Sequence, residues 1–569
     1  LAKSGKVFLE RKDNSSAFLL FNIDKTILYH YTAVCILLSM GRYFMPEKIG
    51  DLIREAAHNI PVYKKVDVLV AGSGSAGLSA AVSAARNGAD VLLIERNSFL
   101  GGQAAASYQV WFGGGTDILT GFAKEFAERL DDIGAAKLLE RYRTQTPETG
   151  IQPLTYHISI DPEEWKNLAF DMVEEAKAKI LTNTLAVDAI VKDEEVKGII
   201  IENKSGRQAI LADVVIDATG DADIAARAGV PIDTLPKSGY LMAMVMLFRL
   251  GGVDYKKIAS YARKHPDDFN PGSGVPPGDF DGRNMASIQG IGGWMSFVRE
   301  AKRRGDLPSD WRSGWGRDGF GICGVNPSTI ERGICYFDLI HVFKRFPWNA
   351  EDVCQAELEG RKRIRTFVKF LKTVPGFESS YLIDIAHSIG LQDSRRIIGD
   401  YILTRKDIYE GKTFEDDICL ITLTWPDVPV SEDEGWIMHP SDGSQGNEVY
   451  QRQVREITYF QTVFGVPYRC LIPKNVDRIL VAGQTISMTY MAHEPGPCRG
   501  MVPCMHWGQA AGTAAAIAVK QGVSPRYVDI PTLRRTLERQ GVNLRKDAID
   551  LSEVRKNIER RGSRIGHNA

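Results

Sequence analysis

The chain has 569 residues, 44% of them hydrophobic and 25% charged, with a formal net charge of −1. That length predicts about two to four domains with ordinary globular cores, and the near-zero charge gives no field for nucleic acid or a membrane surface, so neither is expected as a partner. Eight scattered cysteines, none in a Cys-x-x-Cys pair, exclude a zinc site or thioredoxin-like pair by pattern and suit a reducing compartment, the cytoplasm; no metal site is expected.

In chain order, residues 16–40 are apolar but broken by Asp24, Lys25 and His30, which fits neither a membrane span nor a signal peptide. Met45 opens a stretch that reads as a natural start, so residues 1–44 are expected to be an accessory or spurious extension. "VDVLVAG" (66–72) reads as a buried parallel strand, "AGLSAAVSAARNG" (76–88) as a small-residue helix ending at Asn87-Gly88, and "ADVLLIERN" (89–97) as a second strand. The glycines between strand and helix divide the work: Gly72 for the tight turn, Gly74 for close approach of backbone to a pyrophosphate, Gly77 for helix–strand packing. The helix N-terminus then offers N–H groups and positive dipole to phosphate. Glu95, ending the second strand, is placed to accept from both hydroxyls of an adenosine ribose and to repel a 2′-phosphate, which disfavours NADP.

A second glycine pair, Gly101-Gly102, follows in "ERNSFLGGQAAAS" (95–107). This arrangement resembles flavoproteins of the glutathione-reductase structural class, in which such a segment runs along the pyrophosphate and ribityl chain of FAD. Downstream, "DPEEWKNLAFDMVEEAKAK" (161–179) predicts a helix capped by Asp161 with Pro162 at its first position. "ILTNTLAVDAIVKD" and "VKGIIIEN" alternate as a β-meander joined by a short acidic turn, and "ADVVIDATGDAD" ends in Ala218-Thr219-Gly220-Asp221, similar to the strand that returns to the FAD site in that class. Val187 matches the class position whose backbone meets the adenine.

Residues 236–455 read as an insert between two halves of the nucleotide domain. It begins with "YLMAMVMLFRLGG" (240–252), a strand expected over the flavin, and holds long loops at 265–282 and 425–448. It also carries six tryptophans (294, 311, 315, 348, 425, 436), read as packing of a cap on a sheet before an aromatic-walled site, and the basic run 361–372, read as a solvated amphipathic helix. Arg395 and Arg396 in "QDSRRIIGDY" are candidates for a donor role, with a structural pairing to Asp393 and Asp400 favoured. "VDRILVAGQTIS" (476–487) is another buried strand ending in glycine, and "GMVPCMHWGQAAGTAAAIAVKQG" (500–522) a long small-residue helix. Between them, "TYMAHEPGPCRGM" (489–501) carries His493, Glu494 and Arg499, the candidates for positioned base and oxygen-holding cation. Cys498 and Cys504 read as buried thiols.

The motifs "GLQDSRRIIGDYILTRKDI", "VPYRCLIPKNVDRILVAGQTIS" and "PCMHWGQAAGTAAA" together resemble the FAD-dependent oxidoreductase family, distantly related to fumarate reductase flavoproteins and often named after the flavoprotein subunit of heterodisulfide reductase; the resemblance covers residues 62–545. It implies an α/β fold: a Rossmann-like FAD-binding domain (parallel sheet plus β-meander) in two segments, 45–235 and 456–525, with an inserted α+β cap at 236–455 and a C-terminal helical tail at 526–569. It assigns FAD contacts to Gly72, Gly74, Ser75, Ala76, Gly77, Glu95, Arg96, Gly101, Gly102, Gln103, Val187, Ala218, Thr219, Gly220, Gly483, Gln484, Met501 and Val502, and catalysis to His493, Arg499 and Arg395. Gln484 stands where relatives carry Asp or Glu, and Gln103 near where fumarate-reductase-like enzymes can carry a flavin-linking His; with no His in 95–115, FAD is expected to be non-covalent. The iron–sulfur clusters suggested by the heterodisulfide reductase name lack cysteine spacing. The expected activity is hydride transfer between a small organic substrate and flavin N5, with an electron-transfer subunit serving a redox partner protein as the alternative; an RNA-modifying role lacks the basic surface it needs.

Overall fold

The computed structural model of the chain describes residues 59–114, 119–136, 156–233, 241–269, 290–309, 311, 319–324, 327–422, 463–493 and 497–548. The expected N-terminal extension 1–44, most of the loop 265–282, the whole loop 425–448, Glu494 and Trp315, Trp425 and Trp436 lie outside the described residues.

The principal sheet is built on β1 (Val62–Ala71), whose residues Val68 to Ala71 are wholly buried, as expected of a strand covered on both faces. β1 leads through Gly72 into α1 (Ser75–Arg86), and the chain returns as β2 (Val91–Ile94), parallel to β1. α1 ends at Asn87, and Gly88 at φ +94° provides the left-handed exit. A short helix, α2 (Gly102–Ala106), and a two-stranded ribbon of β3 (Trp111–Gly114) and β4 (Tyr156–Ser159) follow, with α3 (Gly121–Asp132) between them. α4 (Pro162–Glu175) starts where its sequence indicates, the Asp161 carboxylate accepting from the N–H groups of Glu163 and Glu164 at 2.8 and 3.4 Å.

The sheet then runs β5 (Lys179–Leu181), β2, β1 and β8 (Gly206–Asp217), all parallel. β6 (Leu185–Lys192) and β7 (Glu195–Asn203) form the meander, turning at Asp193 and Glu194 with φ of +54° and +60°, the geometry of a two-residue hairpin. β8 is long enough to serve two neighbours on one side. Its first half pairs antiparallel with β7, and its last three residues, Val215–Asp217, pair parallel with β18 (Ile479–Val481).

A second sheet, wholly antiparallel, has the order β11 (Gly290–Gly293), β12 (Phe320–Cys323), β13 (Cys335–Val342), β10 (Met244–Gly251), β14 (Tyr381–Ile385). β10 is buried on both faces. Met246, Phe248 and Leu250 face the core of the insert, while Val245 and Leu247 join the core of the nucleotide-type sheet. The insert core is aromatic: Trp294 stacks on Phe320 at 4.5 Å and Trp311 on Phe367 at 5.1 Å, so both tryptophans are packing residues. Phe367 belongs to α5 (Ala350–Leu371), which covers this sheet with Ile364, Phe370 and Leu371 and leaves Lys362, Arg365 and Lys369 exposed, while Arg363 turns in to donate to His341 O at 2.6 Å.

Residues 396–422, expected in the insert, pack elsewhere. β15 (Arg396–Ile397) pairs with β9 (Ile232–Asp233), and Leu403, Ile408, Ile418, Cys419 and Ile421 join the first core. The return to the nucleotide side thus comes before residue 396, because a two-residue strand with no periodicity of its own makes the crossing. β16 (Asp417–Thr422) then pairs with β17 (Val463–Pro467).

α6 (Met501–Gln521) is buried along most of its length and lies directly on α1. A Cβ at Gly508 would stand 2.0 Å from the Ala76 carbonyl oxygen, and one at Gly512 would stand 2.1 Å from that of Ala80. α7 (Ile530–Arg539) closes the far side with Leu533 and Leu537. No helix among the described residues is long and apolar enough to cross a membrane. Because the obstacle at Gly512 is backbone, Gly512→Val is expected to cost at least about 1–3 kcal/mol. Thermal denaturation of wild type and variant measures it, and equal melting temperatures would contradict the packing.

Candidate functional site

The site begins at the end of β1. Gly72 has φ +96°, and a Cβ there would meet the Ala218 carbonyl oxygen at 2.4 Å; one on Gly77 would meet the Gly72 carbonyl oxygen at 1.8 Å. Protein packing therefore demands both glycines. Gly74 differs, since a Cβ there would touch only Gly102 Cα, at 3.8 Å. What Gly74 keeps clear is space beside the start of α1, where it contributes no side-chain cap to the first-turn N–H groups. The second glycine pair closes on the first. Gly101 N donates to Ser73 O at 3.0 Å, and Gly102, at φ +54°, lies so near that its Cβ would fall 2.5 Å from Gly74 Cα.

Glu95 locks the loop to β2. Its Oε2 accepts from Ser73 N (2.9 Å) and Ser73 Oγ (2.6 Å), and its Oε1 from Asn97 N and Nδ2 (both 2.9 Å). The start of the meander abuts the same turn through Thr184 N, which donates to Glu95 O at 2.9 Å. Val187 lies where the β6–β7 register slips between Ala186 and Asp188, so it is the extra residue of a bulge whose backbone is released from the ladder. Arg96 is exposed, and its charge acts on Asp221.

The end of β8 is organised by Asp217, which is wholly buried. It accepts from Thr219 N and Oγ1 (3.1 and 2.7 Å), Ile224 N (2.9 Å) and Ala225 N (2.8 Å); burial pushes its carboxyl upward. Ala218 N donates back to Ala71 O, holding Ala218-Thr219-Gly220 against the glycine turn. Burial and the neighbouring Asp223 raise the Asp221 carboxyl to about 6. On the next strand, Gly483 takes φ +106° and Gln484 Nε2 donates to Gly220 O at 3.0 Å. Gln484 also reaches Leu391 O at 3.4 Å, to which Gln103 Nε2 donates at 2.6 Å. The Leu391 carbonyl thus gathers the post-glycine segment, the β18 turn and the returning chain.

The candidate catalytic residues separate. Arg395 Nε donates to Asp221 O at 2.7 Å and its Nη2 pairs with Asp223 at 2.5 Å, so this arginine braces the 218–223 turn. Arg396, on the opposite side of the strand, is wholly buried and pairs with Asp393 Oδ1 at 2.8 Å. Asp400, expected to share the pair, is instead held by Arg526. His493 is wholly buried with Nδ1 3.6 Å from Asp393 Oδ1; burial, together with the charges of Arg396 and Arg499, holds it well below an ordinary histidine. Arg499 is half-buried in the turn Pro497–Arg499, and its charge also acts on Asp393. Cys498 and Cys504 are free and buried; desolvation raises both thiols, that of Cys504 to about 12, so neither is a reactive thiolate. Met501 and Val502 open α6 behind Gly500, again with no side-chain cap. Sequence reasoning named Asp393 as a partner for the two arginines but missed that Arg396 alone takes it and that it lies beside His493. The only signal was strand alternation in "SRR", which sends consecutive arginines to opposite faces.

A glycine turn between a parallel strand and an uncapped helix, an acid on the next strand and a β-meander define a Rossmann-like dinucleotide-binding oxidoreductase fold. The FAD dependent oxidoreductase family matches residues 67–537, and the chain belongs to that family, with FAD as its cofactor. Thiamine thiazole synthase of Aeropyrum pernix is 31% identical over 173 residues, 28% of this chain and 57% of that protein. Fumarate reductase (cytochrome) of Shewanella frigidimarina is 51% identical over 51 residues, 9% of each chain. Among solved structures, p-nitrophenol 4-monooxygenase PnpA of Pseudomonas putida covers 84% of this chain and 86% of its own at 12% identity and a TM-score of 0.41. A geranylgeranyl bacteriochlorophyll reductase-like protein of Thermoplasma acidophilum covers 84% and 83% at 15% identity and a TM-score of 0.37. The residues present fit FAD: the cleared space at Gly74 suits a pyrophosphate, and a Cβ at that position would fill it.

Gly74→Val is accordingly expected to leave melting of the FAD-free protein within about 0.5 kcal/mol of wild type while abolishing the bound-flavin absorbance; retained flavin would contradict the role of Gly74. His493 gives a pH expectation. Its folded pKa lies below the unfolded 6.5, so the unfolded chain binds more protons in that interval. The stability it carries is complete above the unfolded value and is lost as pH falls below it, by about 1.4 kcal/mol per pH unit. Denaturant titrations of wild type and His493→Gln should therefore converge on acidification, and parallel curves would show that His493 is not held neutral.

Proposed function

We propose that this oxidoreductase moves a hydride between a small organic substrate and FAD bound without a covalent link, with His493 as the proton-accepting group and Arg499 as the oxygen-holding one. The observation that carries this reading is the buried, neutral His493 beside Asp393, on the loop joining the β18 turn to α6. FAD, when bound, supplies the hydride-accepting or hydride-donating centre at N5.

Gly72 to Gly77 and Gly101-Gly102 would hold the pyrophosphate, Val187 the adenosine, and Gln103 and Gln484 the ribityl chain; Glu95, whose oxygens already accept from Ser73 and Asn97, would shape the turn on the adenosine side and not grip the ribose itself. The uncapped start of α6 at Met501 and Val502 would present N–H groups and positive dipole to the flavin pyrimidine. A histidine held below its ordinary pKa is an acceptor at neutral pH, which suits removal of a proton from a substrate O–H or N–H at a ring nitrogen. Arg499, half-buried and always charged, would hold the oxygen on which negative charge gathers. Residues 241–390 would form the cap that excludes water, since β10 presents Val245 and Leu247 to the nucleotide side.

The test is anaerobic bleaching of the FAD-loaded protein by a panel of small alcohols, amines and acids. Reduction by one class is expected, and His493→Ala should retain FAD and slow it by about 10²–10⁴-fold. Bleaching only by a protein electron donor would replace this reading with an electron-transfer subunit, and an unchanged rate in the variant would remove His493 from the chemistry.

A further inference from the structure

Arg396 is among the largest fully buried side chains of the molecule, and two of its three guanidinium nitrogens are uncommitted. Its Nη1 donates to Asp393 Oδ1 at 2.8 Å and Ser394 O at 3.2 Å, and its guanidinium lies 5.4 Å from the centre of the Tyr490 ring. Nε and Nη2 have no hydrogen-bond partner among the described residues. A buried guanidinium with two idle nitrogens carries a desolvation cost that its contacts with Asp393, Ser394 and Tyr490 offset only in part.

The idle pair is one edge of the guanidinium, with two parallel N–H vectors that match the two oxygens of a carboxylate. The same molecule shows that edge in use: Arg249 Nε and Nη2 grip the two oxygens of Asp384 at 3.2 and 2.5 Å.

We propose that the substrate carries a carboxylate, received through the Nε/Nη2 edge of Arg396 with Asp393 fixing the guanidinium and His493 beside the reacting end. This inference rests on reading the His493 loop as the substrate end of the FAD site. Two coplanar acceptor atoms could also come from the pyrimidine edge of the flavin, and the experiment separates the two sources.

FAD-loaded wild type and Arg396→Lys are titrated with benzoate and fumarate, and with benzamide and fumaramide as neutral counterparts, following the flavin absorbance. In wild type the carboxylates should perturb the spectrum at concentrations at least about tenfold below their amides. Arg396→Lys should keep its FAD and bind the carboxylates about 10–100-fold more weakly, with the amides unchanged. If lysine is not tolerated in the core, the paired change Asp393→Asn with Arg396→Gln, which removes both buried charges together, carries the same expectation. Equal binding of carboxylates and amides by wild type would overturn the proposal. So would a variant that binds carboxylates within twofold of wild type while its flavin spectrum or midpoint potential shifts, which would give the edge to the flavin. A wild-type protein that takes up no FAD would instead refute the proposed function, before any carboxylate is added.

Discussion

The contact on which the site depends is the laying of α6 on α1 at backbone distance. Gly508 and Gly512 let the carbonyl oxygens of Ala76 and Ala80 approach where any side chain would stand in the way. The two helices lie more than four hundred residues apart in sequence order, yet this contact brings the start of α6 and the loop before it to the first glycine turn. β18 is carried along, and with it Gly483 and Gln484. Small residues on both helices thus convert a nonlocal pairing into a fixed distance between the phosphate-type cradle and the His493 loop.

Around that contact the polar groups form linked local circuits. Glu95 spends both oxygens on the glycine loop and its own turn, Asp217 organises the turn after β8, and Arg395 ties that turn to the returning chain. Glu95 and Asp217 are each met by several donors, as burial of charge requires. The His493 cluster is different, because Arg396 keeps part of its capacity unspent. Glu95, Asp217 and Arg395 serve to hold backbone in place; Arg396 is positioned with its bonding edge still available.

Much of the fold was legible because its signals are local. A strand, glycine turn and small-residue helix within residues 66–88, the Asp161 cap and the Asp193-Glu194 turn each follow from a few adjacent residues. What was illegible depends on partners far along the chain. The two-residue strand β15 has no periodicity to betray it, so the insert looked longer than it is. Arg395 and Arg396 are adjacent and chemically identical, and only the partners on either side of the strand distinguish a brace from a site residue. Asp400 met Arg526 for the same reason, as did Gln103 and Gln484 at Leu391.

The split of β8 between two neighbours also bears on how the chain is made. Its first half is paired as soon as β7 has formed, but Val215–Asp217 wait for Ile479–Val481, which leave the ribosome only after the whole second sheet. Through that interval the nucleotide sheet carries an open parallel edge, the kind of surface that invites pairing with a foreign strand. The aromatic core of the insert can collapse on its own meanwhile, drawing residues 244 and 385 together and shortening the loop that β18 must close. The exposed edge is as short as three residues because β8 gives the rest of its length to the meander.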